Sequence, residues 1–134
     1  MNRNQIESFT ARWLAAVCAG NSQEFEHLTA ETSIDTGTGL ATSRAAFQER
    51  ARAVFAAFEA LEGRVTDLVI DGDRIAWRWV LTGRQRATFL GQAPTNAQQK
   101  RLVGVNFQRL TGGVVTEHYT LLDTTDFRQQ NASG

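Results

Sequence analysis

Residues 64–82 read Arg64-Val65-Thr66-Asp67-Leu68-Val69-Ile70-Asp71-Gly72-Asp73-Arg74-Ile75-Ala76-Trp77-Arg78-Trp79-Val80-Leu81-Thr82, and their alternation decides the fold class. Val65, Asp67 and Val69 alternate with Thr66, Leu68 and Ile70, the two-residue period of a strand. Asp71-Gly72-Asp73 breaks the run, and an Asp-Gly pair tolerates the positive φ of a hairpin turn. Ile75, Trp77, Trp79 and Leu81 then alternate with Ala76, Arg78, Val80 and Thr82 along a second long strand. Further strands are predicted at 102–110 and 114–122, with Thr111-Gly112-Gly113 turning the chain between them. Consecutive strands joined by short turns pair antiparallel. Several carry apolar residues on both faces: one face covers the rest of the chain, and the other is expected to meet a second subunit in a homodimer.

Upstream of residue 64 the period is helical. Asn4 with Glu7 marks a helix start, and Ile6, Phe9, Trp13 and Val17 recur on one apolar face up to Gly20. Asn21 and Glu24 precede a short helix carrying Phe25 and Leu28. Ser33-Ile34-Asp35-Thr36-Gly37-Thr38-Gly39 reads as a short strand or irregular edge running into a loop. Thr42-Ser43 caps a third helix. Its stripe of Phe47, Ala51, Val54, Phe58 and Leu61, widened by Phe55, runs to a stop at Gly63. The order is therefore helices first, then an antiparallel sheet: an α+β domain. The whole chain, 1–134, is expected to be one domain with a loop at 91–99 and a frayed tail at 128–134.

Composition excludes several function classes. With 14 basic and 14 acidic residues the net charge is formally zero, and Arg84, Arg86, Lys100 and Arg101 form the nearest thing to a basic patch, so nucleic acid is not the expected partner. A lone cysteine, Cys18, allows no internal disulfide and reads as an inert thiol on a helix. No long apolar run marks a membrane span or a signal peptide, and a cytoplasmic location is expected. His27 and His118 are far apart, no Cys/His cluster has zinc spacing, and Gly37-Thr38-Gly39 lacks the third glycine of a dinucleotide fingerprint, so no metal or cofactor is expected.

Thr116-Glu117-His118-Tyr119-Thr120-Leu121-Leu122-Asp123 closes the sheet. Glu117, Tyr119, Leu121 and Asp123 share one face of a regular strand; His118, Thr120 and Leu122 share the other. A carboxylate at the end of an apolar strand suits a general base, which makes Asp123 the first catalytic candidate. Its other reading is a turn or cap for Asp123-Thr124-Thr125-Asp126. On a straight strand His118 lies opposite Asp123, towards solvent or an interface; a bulge would bring the two together.

Residues 64–123 resemble the SnoaL-like polyketide cyclases, within the nuclear-transport-factor-two-like superfamily. The resemblance is carried by Ile75-Ala76-Trp77-Arg78-Trp79-Val80-Leu81-Thr82-Gly83, by Phe89-Leu90-Gly91 with Pro94-Thr95, by Gly104-Val105-Asn106-Phe107, and by Glu117-His118-Tyr119 with Asp123. Ser43-Arg44-Ala45-Ala46-Phe47 and Phe55-Ala56-Ala57-Phe58 fit the family's middle helix. The resemblance implies a cone, a curved sheet wrapped around helices with a deep apolar pocket. It also implies an aspartate, here Asp123, as acid and base in the cofactor-free intramolecular aldol closure of a polyketide ester. A large, flat, apolar polycycle would then be the substrate. Trp13, Phe55 and Trp79, with Phe25, Phe47, Phe58, Trp77, Phe89 and Phe107, are candidates for pocket wall or plain core. Asn106, mid-strand among Val and Phe, either holds a substrate carbonyl or pairs with a neighbour, and Gln108 shares its face. Asp35 and Tyr119 are further candidates by position, and His118 is a second catalytic candidate. Arg78 matches a family arginine or forms an ion pair. Family members often carry tryptophan where Tyr119 stands and a Leu-Leu-Gln-Gln tail where Phe127-Arg128-Gln129-Gln130 stands, and the Asp35 region matches poorly. An isomerase or hydroxylase acting on a polycycle in the same pocket, or a non-catalytic binding or dimerisation domain, fits the same scaffold.

Overall fold

The computed structural model describes residues 1–95 and 99–133, so the middle of the expected 91–99 loop and the last residue of the expected frayed tail lie outside the described residues. Four helices pack on one six-stranded sheet: α1 (Arg3–Ala19), α2 (Phe25–Leu28), β1 (Thr29–Asp35), β2 (Leu40–Ser43), α3 (Arg44–Ala57), β3 (Phe58–Asp71), β4 (Arg74–Gln85), β5 (Gln99–Thr111), β6 (Val114–Leu122) and α4 (Thr124–Ser133), with a 3₁₀ turn, Ser22–Glu24, before α2. The strand order is β2-β1-β6-β5-β4-β3.

The hairpins β3–β4, β4–β5 and β5–β6 are antiparallel, as their alternation predicts. The sheet is mixed all the same, because β1 runs parallel to β6, with Asp35 opposite His118. No local turn joins those two strands, so short-range pairing rules do not reach them. Register shifts interrupt β3 between Glu59 and Glu62 and again between Val65 and Asp67. Such bulges bend a strand and increase its twist, curving the sheet round the helices.

Asn2 and Gln5 form a reciprocal capping box at the start of α1, with both bonds at 2.8 Å, so the helix starts earlier than the Asn4 signal suggests. Gly20 ends it with φ at 66°. Ile6, Phe9 and Trp13 are buried as the stripe predicts. Gly63 lets α1 approach β3: a Cβ there would sit 2.8 Å from Leu81 and 3.2 Å from the Cys18 Sγ. Burial, with Glu62 nearby, pushes the Cys18 thiol pKa up, which fits an inert side chain.

Two elements depart from expectation. Helix α3 ends at Ala57, and Phe58 already pairs with Gln85 as the first residue of β3. The Arg86 Nε and Nη2 donate to the Ala56 and Phe55 carbonyls, while the Arg86 backbone N–H takes the Ala57 carbonyl. A residue far along the chain thus caps the helix at Ala57, and the four-three spacing of Phe58 and Leu61 is strand-borne. The expected frayed tail is also corrected, since α4 runs to Ser133. Phe127 is fully buried against Phe58 and Phe89, and the Gln130 side chain bonds both backbone groups of Arg101. Burying a side chain of Phe size contributes roughly 1.5–3 kcal/mol, enough to hold a short helix.

No helix among the described residues is long and apolar enough to cross a membrane.

Candidate functional site

The inner faces of α1, α3, β4, β5 and β6 enclose an apolar cavity of about 350 Å³. Trp13, Phe25 and Phe47 form its floor and one wall, and Trp79, Leu102 and Leu122 form the sheet side. Phe89 and Leu90, from the loop after β4, also line it; Leu90 has φ at 51°, a strained value for a branched side chain. Trp13 sets the aromatic packing, with ring centroids 4.9 Å from Phe25, 5.6 Å from Phe47 and 6.4 Å from Trp77.

Two tryptophans on β4 organise the polar side of the cavity. The Trp79 ring lies across Gly104 of the neighbouring strand, where an added Cβ would overlap it. From there the Trp79 Nε1–H donates to Asn106 Oδ1 at 3.1 Å. The Trp77 Nε1–H donates to Gln108 Oε1 at 2.8 Å. An indole N–H only donates, so each bond fixes which end of the partner amide is oxygen.

The rest of the network follows by donor and acceptor logic. Gln108 Nε2 is a donor and meets His118 Nδ1 at 3.1 Å, so Nδ1 is the unprotonated ring nitrogen. The neutral imidazole then carries its proton on Nε2 and donates to Thr120 Oγ1 at 2.9 Å. Thr120 Oγ1 passes its own proton to Asn106 Oδ1 at 2.5 Å. Asn106 Oδ1 therefore accepts from both Trp79 and Thr120, while Nδ2 of this cavity-lining residue donates to no protein group among the described residues. Donors that converge on Oδ1 polarise the amide and strengthen Nδ2 as a donor.

His118 is buried, 3% exposed, stacked on Trp13 at 5.7 Å with Phe47 edge-on at 4.7 Å. Burial first, and the Arg50 charge second, lower its pKa to about 4 against the opposing pull of Asp35. It is neutral at physiological pH, as the network requires.

The sequence candidates divide sharply. Asn106, Trp79 and Trp13 line the cavity. Gln108 and His118 stand directly behind it, joined to Asn106 through Thr120. His118 is therefore not turned to solvent or an interface: the inner face of β6 is His118, Thr120 and Leu122. The β6 bulge falls at Thr116, upstream of His118, since Arg109 pairs with Glu117 and Leu110 with Val115. It leaves Asp123 on the opposite face, so His118 and Asp123 are not brought together. Asp123 is exposed, and its Oδ1 accepts the Asp126 N–H at 2.9 Å, the capping arrangement at the start of α4.

Four other candidates also lie outside the cavity lining. The Asp35 Oδ1 holds the β1–β2 turn through the N–H groups of Gly37 and Thr38, at 2.8 and 3.2 Å. Tyr119 is on the outer face of the sheet beside Phe107, 6.3 Å between ring centroids. Phe55 packs on Gly20 with the Arg86 guanidinium 5.7 Å from its ring centroid. Arg78 is exposed and pairs with Asp67 at 3.8 Å, the ion-pair alternative.

Sequence reasoning passed over Thr120 and Arg50, both in the lining. Thr120 was legible in the alternation with His118 and Leu122. Arg50, three residues after Phe47, sits on the edge of the α3 stripe. Among the described residues no carboxylate lines this cavity, and no group of three or more His, Cys, Asp or Glu is able to hold a metal. A hydrogen-bond donor in an otherwise apolar chamber can stabilise negative charge developing on a bound carbonyl oxygen.

The model of a family described as SnoaL-like polyketide cyclase matches residues 8–131. A search of curated proteins finds no match. Among solved structures, TsrD from Streptomyces laurentii superposes with a TM-score of 0.85 at 19% identity, over 100% of this chain and 99% of that one. IdmH from Streptomyces antibioticus gives 0.75 at 24% identity, over 92% and 95% of the two chains. A SnoaL-like polyketide cyclase from Agrobacterium tumefaciens gives 0.73 at 16%, over 91% and 94%. At these identities the likeness speaks for the fold: a curved mixed sheet wrapped on helices.

Proposed function

Because the chain belongs to the SnoaL-like polyketide cyclase family, we propose that it closes a ring in an apolar, polyketide-derived substrate, with Asn106 rather than Asp123 at the centre of the chemistry. The cavity takes a flat apolar ring system, and a substrate carbonyl oxygen accepts a hydrogen bond from Asn106 Nδ2. Flanking carbonyls acidify the methylene between them. As that methylene loses its proton to water or buffer base, negative charge grows on the oxygen held by Asn106. The enolate carbon then attacks the second carbonyl, forming one carbon–carbon bond. The resulting alkoxide takes a proton from solvent, so product and substrate are isomers until water is lost.

The observation that carries this reading is the state of Asn106: Oδ1 is saturated by Trp79 and Thr120, and the amide nitrogen of this cavity-lining residue is left without a protein acceptor among the described residues. Removing a comparable oxyanion donor costs roughly 10²–10³ in kcat. His118 acts through its neighbours: neutral, it directs the Thr120 proton onto Asn106. In this reading Asp123 caps α4. The test is incubation with an aryl-substituted polyketide, offered both as the free acid and as its methyl ester, followed by chromatography and mass spectrometry for a new isomer or its dehydration product. The wild type forms the product and Asn106→Leu slows it by about 10²-fold; an Asn106→Leu variant as fast as wild type overturns the assignment.

A homodimer is part of the same proposal. Ile34, Val69, Phe107, Tyr119 and Leu121 are 41%, 64%, 48%, 36% and 57% exposed, and all lie on strands of the sheet. A hollow of about 320 Å³ between Val69 and Phe107 adds shape to this face. A second copy covers it, and the lone thiol of Cys18 suits a cytoplasmic setting.

A further inference from the structure

We infer that Arg50 anchors a carboxylate on the bound molecule, so that the ligand is an apolar ring compound bearing a free acid rather than a fully neutral ester. The inference rests on the cavity being the substrate site and adds a substrate class to it.

Arg50 is the one charged residue in the cavity lining among the described residues. It lies on α3 and is exposed to solvent, while Asn106 lies on β5; both line the cavity. Its guanidinium carbon lies 5.4 Å from the centroid of the Phe47 ring. A guanidinium resting on an aromatic face is weakly hydrated, and its N–H edges stay free for a planar, bidentate partner. No such partner comes from the protein. Residues three and four positions away on α3 are Ala46, Phe47, Ala53 and Val54, so the helix itself supplies no acid. Arg3, Arg12, Arg78, Arg84, Arg101 and Arg109 form ion pairs, and Arg44, Arg52 and Arg86 bond protein oxygens; Arg64, Arg74 and Arg128 also lack an ion pair among the described residues, but none of them lines this cavity. Arg50 has no ion pair among the described residues.

The surroundings make that charge count. The lining is otherwise apolar apart from Asn106 and Thr120, and the Arg50 charge reaches far enough inward to help lower the His118 pKa. Neither Asn106 Nδ2 nor Arg50 is an acceptor. Thr120 Oγ1 is already engaged by His118 and Asn106, so the groups left for a ligand are the donors Asn106 Nδ2 and Arg50, which suits a molecule carrying a carbonyl at one end and a carboxylate at the other. An arginine–carboxylate pair is charge-assisted and can be bidentate, which makes it stronger than a neutral hydrogen bond.

Anthracene-2-carboxylate and its methyl ester test this directly, with binding followed by their own fluorescence. The wild type binds the acid at least about tenfold more tightly than the ester, the worth of one charge-assisted bond. Arg50→Met abolishes the difference between acid and ester, with a far-ultraviolet circular dichroism spectrum that matches wild type and shows the variant is folded. Equal affinities for acid and ester in the wild type, or a preference for the acid that survives in Arg50→Met, overturn the Arg50 assignment while leaving the cavity as a binding site. If neither probe binds the wild type, the cavity reading fails and this inference fails with it.

Discussion

Replacing Gly104 by alanine tests the network at its support. The added methyl would lie 2.7 Å from Trp79 Cε2 and Cη2, and closer still to Cζ2. Carbon atoms pack at about 3.5–4.0 Å, so the indole must retreat by at least about 1 Å. Its Nε1 starts 3.1 Å from Asn106 Oδ1, and such a retreat carries it beyond hydrogen-bonding range. Overpacking of this kind costs about 1–3 kcal/mol, and the lost buried bond adds about 1 kcal/mol. The sum, roughly 2–4 kcal/mol, is a large share of the 5–15 kcal/mol that holds a typical domain together, and corresponds to a fall in Tm on the order of 10 °C. Urea unfolding followed by tryptophan fluorescence measures it. The same substitution in a Trp79→Leu background should cost under about 1 kcal/mol, because the obstructing ring is gone. A Gly104→Ala variant within about 0.5 kcal/mol of wild type, or a cost that persists without Trp79, refutes the packing argument.

Three further outcomes follow from the same geometry. His118 has a folded pKa of about 4 against an ordinary 6.5, so as pH falls the unfolded chain takes up the proton first. Its stabilisation is whole above about pH 6.5 and is lost by about pH 4, a difference of roughly 3 kcal/mol; denaturant titrations at several pH values should show wild type losing that much more than His118→Gln. Asp123→Ala removes the α4 cap and should cost about 1 kcal/mol in urea unfolding, whereas Asp123→Asn, an equally good cap, should be nearly neutral. Phe107→Glu puts a charge in the middle of the exposed apolar face and should convert a dimer to a monomer in sedimentation, with the far-ultraviolet circular dichroism unchanged.

Local periodicity made most of the architecture legible. Residues 64–82 announce a hairpin through a two-residue period and an Asp-Gly turn, and β3 and β4 follow it with the turn at Gly72. The features that escaped are set by distant residues. Helix α3 stops where Arg86 reaches its last carbonyls, and spacing within α3 holds no trace of Arg86. The parallel pairing of β1 with β6 joins segments more than eighty residues apart, as the Ser33 Oγ bond to the Val115 carbonyl illustrates. The site was half legible for a related reason. Alternation on β6 separates His118, Thr120 and Leu122 from Tyr119, Leu121 and Asp123 correctly. Both sets contain apolar side chains, though, so hydrophobicity does not say which faces inward. The packing of His118 between Trp13 and Phe47 decides it. Asn106 was found because an amide among Val and Phe needs partners, and it has two.

The central claim is that charge on a carbonyl oxygen is stabilised by the amide of Asn106, with Asp123 outside the chemistry. Deuterium exchange at the activated methylene of ethyl benzoylacetate in D₂O, followed by proton NMR, isolates that step from ring closure. Wild-type protein should accelerate exchange over buffer, Asn106→Leu should lose that acceleration by about 10²-fold, and Asp123→Ala should keep it. Exchange that survives in Asn106→Leu and disappears in Asp123→Ala would contradict the account.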